Sequence, residues 1–109
     1  MQDKRKYERV NIPEAAGIYA TEEKGARLGL IRVLGLGGVL VNTQRKFAKG
    51  EKTILTIVDE SEGIRRKARV HALYTLPLGV GFEFEKLDEQ SAVEIGVIIG
   101  KHKTNKPGK

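Results

Sequence analysis

Between Gly17 and Lys86, apolar and polar residues alternate in short runs cut by glycine, and this period of two limits the fold more than any other feature of the chain. Successive side chains of a strand point to opposite faces, so alternation of this kind describes half-buried β-strands rather than amphipathic helices. Strands are expected at about 16–20, 26–33, 38–43, 52–58, 65–76 and 79–86. Six such strands suit a barrel. Asp59-Glu60-Ser61-Glu62-Gly63 reads as a hairpin loop with solvated carboxylates, and Leu76-Pro77-Leu78-Gly79 as a second tight turn. After Leu87 the period lengthens. Asp88 or Ser91 is expected to cap a helix with Ala92, Val93, Ile95, Ile98 and Ile99 on its apolar face. This helix would cover a barrel mouth and end near Gly100, leaving 101–109 as a basic flexible tail.

Composition sets the outer limits. The chain has 109 residues, 39% hydrophobic and 31% charged, which fits one folded domain and leaves no room for a second catalytic lobe. Without cysteine there are no disulfides, thiolate zinc ligands or cysteine nucleophiles, and a cytoplasmic location is the default expectation. The start, Met1-Gln2-Asp3-Lys4-Arg5-Lys6, lacks the apolar run of a signal peptide, and no apolar stretch approaches eighteen residues. Neither export nor membrane insertion is expected. His71 and His102 stand without partners at any metal-binding or acid–base spacing, and His71 reads as an ordinary strand position. Gly35-Leu36-Gly37-Gly38 lacks the lysine of a phosphate loop and reads as a bend between strands, through positive φ or a bulge. The expectation is a binding module, not an enzyme, with no cofactor.

Twenty Lys and Arg against fourteen Asp and Glu leave a net charge of +6, which points to an anionic partner. The cations gather in three places: Lys4, Arg5, Lys6 and Arg9; Arg65, Arg66, Lys67 and Arg69; and Lys101, Lys103, Lys106 and Lys109. In the first group Arg5 and Arg9 stand four apart around Lys6 and Tyr7. A guanidinium donates bidentately to a phosphate or to the O6 and N7 edge of guanine, and its plane stacks on a base. The same spacing also fits a solvated basic terminus. Aromatic residues make up only 6% of the chain, thin for a base-stacking nucleic-acid platform, so nucleic acid is not the expected partner.

Taken in order, the RxxxR segment at 5–9, the run Arg32-Val33-Leu34-Gly35-Leu36-Gly37-Gly38, the turn Lys49-Gly50-Glu51 and the run Gly79-Val80-Gly81-Phe82-Glu83-Phe84 resemble a PilZ domain over about residues 3–100. The resemblance implies a mainly β fold, a six-stranded antiparallel β-barrel with a short C-terminal helix. It divides the chain into a domain over 1–100, whose basic segment 1–12 binds ligand, and the tail 101–109. In PilZ domains the RxxxR arginines and a D/N-x-S-x-x-G motif clasp the second messenger cyclic di-GMP. By that resemblance Arg5 and Arg9 would engage the ligand while the N-terminal segment folds over the barrel, with Lys6 and Tyr7 beside them. The second motif falls on Val33, Gly35 and Gly38, of which only Gly38 keeps the family residue. Asp59-Glu60-Ser61 begins like that motif but lies in another hairpin, and is read as coincidence. The implied protein is a cyclic di-GMP receptor signalling to a downstream protein partner. The alternative is an adaptor that contacts proteins without nucleotide.

Overall fold

The computed structural model describes residues 8–103. Within them lie β1 (Arg9–Asn11), β2 (Tyr19–Glu22), β3 (Arg27–Gly35), β4 (Gly38–Asn42), β5 (Lys52–Asp59), β6 (Ile64–Leu76), β7 (Gly79–Phe84) and the helix α1 (Glu89–His102). Single 3-10 turns occupy Glu14–Ala16 and Glu60–Glu62. Strands β2 to β7 form a closed antiparallel barrel in the order β3-β2-β5-β6-β7-β4, shut by pairing of β4 with β3. Closure removes the exposed edges that an open sheet would have to protect.

β1 is extra to the barrel. It pairs with the second half of β3, Val10 opposite Leu34, along the edge whose first half is taken by β2. Three residues are too few to announce themselves by alternation, and here the long β3 supplies the template. Val10 and Ile12 are buried beside Leu34, while Arg32, at a bulge in β3, donates from Nε to the Ile12 carbonyl at 3.1 Å and accepts from the Ile12 amide at 2.8 Å.

Alternation does its work along the other strands. Ala20, Ile31, Val41, Ile57, Val70 and Phe82 point inward, and Phe47, from the link between β4 and β5, meets Phe82 edge-on with ring centroids 5.0 Å apart. Helix α1 starts at Asp88, whose carboxylate accepts from the Ser91 amide at 2.7 Å, and it buries Ile95, Ile98 and Ile99 in the barrel core. Val93, expected on the apolar face, is 58% exposed instead, because the buried stripe runs through Ser91, Ile95 and Ile98.

The helix also runs past its expected end. Lys101 and His102 belong to α1 rather than to a tail, and Lys101 reaches Asp59 in the β5–β6 turn at 2.7 Å. Asp59 is only 1% exposed, which corrects the reading of this turn as wholly solvated. Its carboxylate also accepts from the Ser61 amide and hydroxyl, at 3.2 and 2.8 Å, and Gly63 completes the turn at φ 67°. Asp59-Glu60-Ser61 is thus a structural clasp between hairpin and helix. Burial by itself pushes the Asp59 carboxyl up, but the Lys101 and Ser61 hydrogen bonds outweigh it and hold the group below the ordinary carboxylate range.

Candidate functional site

β1, the β3–β4 turn, strands β4, β7 and β6 and the link from β7 into α1 line a groove of about 710 Å³. Arg9, Val33 and Gly38 line it, so three of the residues nominated from the sequence meet in one place. Arg5, Lys6 and Tyr7 lie outside the described residues.

Gly35 is not part of the lining. It pairs with Arg9 across the β1–β3 ladder, and a β-carbon on it would stand 2.6 Å from the Glu8 carbonyl oxygen and 3.1 Å from Cγ of Arg9. The missing side chain is therefore what lets β1 lie down on β3, and a serine there would push the strand away. Gly38 is used in the same way, since a β-carbon would run into the main-chain carbonyl of Phe82 on β7. Neither glycine has positive φ. The bend expected of this glycine run is a matter of close backbone approach, and the bulge sits upstream at Arg32.

Two outward rows of cross-strand pairs run through the site, and Val33, Leu40 and Tyr74 of one and Gly38 and Glu83 of the other line the groove. Val33 pairs with Leu40, Leu40 with Gly81 and Gly81 with Tyr74, giving an apolar row across four strands. Beside it Gly38 pairs with Glu83, Glu83 with His71 and His71 with Lys52, giving a polar row. His71 is not without partners, as its spacing suggested: Nε2 lies 2.9 Å from Glu83 and Nδ1 3.3 Å from Glu85, while Lys52 stands 3.9 Å from Glu85. A neutral imidazole donates to one of these carboxylates, an imidazolium to both. Lys86 adds a cation to the lining, near Leu36, Leu87 and Leu73. The site thus offers an apolar floor, cations at Arg9 and Lys86, and carboxylates that accept hydrogen bonds. Sequence reasoning missed Tyr74, Glu83 and Lys86, although the alternation that places Phe82 and Phe84 in the core also turns Gly81 and Glu83 outward.

Such a combination suits a planar anionic ligand, and the barrel that carries it has known counterparts. A profile of the PilZ domain matches residues 3–100, and the chain belongs to this family, which includes cyclic di-GMP receptor domains. Among solved structures it resembles the PilZ domain with c-di-GMP of YcgR from Escherichia coli, at 15% identity and a TM-score of 0.70, over 93% of this chain and 92% of that one. It also resembles an uncharacterized Legionella protein, at 12% identity and a TM-score of 0.65, over 89% of this chain and 95% of that one. No curated protein sequence matches the chain. PilZ domains are binding modules. Among the described residues no helix is long and apolar enough to cross a membrane.

Proposed function

We propose that this protein is a cyclic di-GMP receptor module, in which Arg5 and Arg9 clasp the ligand over the groove and segment 1–12 passes the binding event to a downstream protein. The observation that carries the reading is the meeting of Arg9, Val33 and Gly38, nominated by the family pattern, around one groove with an apolar floor and a second cation at Lys86. Arg9 presents an exposed side chain from a three-residue strand, so ligand and β1 can stabilise each other's position on β3. Lack of cysteine agrees with work in a reducing cytoplasm.

Val33 and Gly35 provide no side-chain hydrogen bonds where the family pattern has Asp or Asn and Ser. Each polar ligand group left without its partner costs about 1–3 kcal/mol, so with two of them missing binding weaker than that of a domain with the full motif is expected, by roughly 30-fold or more. The same two residues favour a second reading, an adaptor that contacts proteins without nucleotide.

Calorimetric titration with cyclic di-GMP, with GTP and a short DNA duplex as controls at two salt concentrations, separates the two. Saturable binding specific to the cyclic dinucleotide, weakened at least roughly tenfold in Arg9→Ala, is the expected result. No heat from the wild type at high ligand concentration, in protein shown to be folded, overturns the receptor and leaves the adaptor.

A further inference from the structure

The apolar row of the groove ends on an aromatic that no family motif names. A β-carbon on Gly81 would stand 2.6 Å from Cε1 and 2.7 Å from Oη of Tyr74, so the outer half of this ring lies across β7 in the space that the glycine leaves. The residue is nevertheless 42% exposed. Part of the ring rests on the strand, and the rest opens on the groove that it helps to line.

A local irregularity sets this orientation. Between Ala72 and Tyr74 the β6–β7 register shifts, so that Ala72 opposes Phe82 but Tyr74 opposes Gly81. With Leu73 paired in an unbroken ladder, Tyr74 would oppose Val80, whose side chain lies in the core. The extra residue re-aims the tyrosine outward, a known use of a bulge. Bulge and glycine together hold an aromatic on the outer face, level with Leu40 and Val33.

We infer that Tyr74 is the platform on which a guanine base of the ligand stacks. The inference rests on the receptor reading above but concerns a contact independent of the arginines. A purine base would lay an apolar face on Val33, Leu40 and Tyr74, and the dinucleotide's phosphates would meet Arg9 and Lys86, all of which line the groove. Guanine in particular has adjacent N–H donors at N1 and N2, and the carboxylates of Glu83 and Glu85 stand in the same lining to accept them. Where Val33 and Gly35 remove polar grip, stacking replaces part of it.

The chain contains no tryptophan, so Tyr74→Trp installs a single fluorescent reporter at the proposed contact. Titrated with cyclic di-GMP, its emission is expected to change and to saturate at the midpoint measured by calorimetry. Tyr74→Ala is expected to weaken binding by roughly 10- to 100-fold, the range of one lost base–aromatic stack, and Tyr74→Phe by less than about threefold. Gly81→Ala, whose methyl group displaces only the end of the ring, should follow Tyr74→Ala with a melting curve close to wild type. Wild-type protein that binds cyclic di-GMP, with Tyr74→Ala equally tight and the Tyr74→Trp emission unchanged at saturation, overturns the platform and leaves the receptor standing. A wild type that does not bind overturns both.

Discussion

The β5–β6 turn has the polar residues of the family's second motif without its position, and the β3–β4 turn has the position without those residues. At the first, Asp59 and Ser61 beside Gly63 form a closed clasp, in which Lys101 bonds to Asp59 at 2.7 Å and to Glu62 at 3.3 Å. At the second, Val33, Gly35 and Gly38 have no polar side chains, yet the chain folds there into a groove bordered by Arg9 and Lys86. Resemblance to a motif thus separates from position in the barrel. The polar letters stand where helix and hairpin are locked together, and the glycines stand where backbone must approach backbone. A buried carboxylate with its cation supplied is a structural solution, whereas an exposed arginine over an apolar floor leaves capacity for a ligand.

Four substitutions strain this contrast, in descending order of effect. Gly38→Val drives a branched side chain into the Phe82 carbonyl and opens the β4–β7 seam, at a cost of about 3 kcal/mol read by urea denaturation. A variant as stable as wild type would mean that the close approach is not required. Lys101→Met leaves the Asp59 carboxylate buried without its cation and should cost about 2 kcal/mol.

The same variant tests a pH dependence. Because the Asp59 carboxyl is held below its ordinary range in the folded protein, its contribution is complete above that range and disappears as pH falls through the lowered value. Burial alone would lower the Lys101 ammonium pKa, but the hydrogen bonds it donates to the carboxylates of Asp59 and Glu62 raise it, so this contribution is complete below the ordinary lysine range and disappears as pH rises through the raised value. Stability of Lys101→Met plotted against pH should therefore be flatter than wild type at both extremes.

Gly35→Ser restores the family residue and is expected to cost about 1 kcal/mol by crowding Glu8 and Arg9. Faster amide exchange at Val10 would show β1 lifting from β3. Tighter cyclic di-GMP binding in this variant would instead mean that β1 leaves Gly35 in the bound state. Smallest of all is Lys103→Ala, which removes a 3.1 Å contact between two exposed side chains, Lys103 and Glu8, and should change stability by less than about 0.5 kcal/mol.

How much of this was legible beforehand depended on the range over which each residue is determined. The six barrel strands follow from alternation, which is local, and the cap at Asp88 follows from its neighbours. Their edges drifted where local order competes: the 3-10 turn at Glu14–Ala16 takes the start expected of β2, which begins at Tyr19. β1 was invisible as a strand, since three residues have no period and pairing with β3 creates it. The burial of Asp59 depends on a lysine 42 positions later, and neither spacing nor composition reports such a contact. Tyr74 escaped notice for a related reason. A single extra residue in β6 reverses which side of the sheet each later residue faces, and alternation counted along one strand is blind to it.

The placement of β1 has a mechanical consequence. Its three ladder positions lie end to end with β2 along one edge of β3, and the barrel is shut by other pairings. Tension applied to the chain before Glu8 is therefore borne first by β1 and by the grip of Arg32 on Ile12. These contacts would part while β2 to β7 stayed whole, making the short strand a mechanical fuse between the barrel and whatever pulls on that segment.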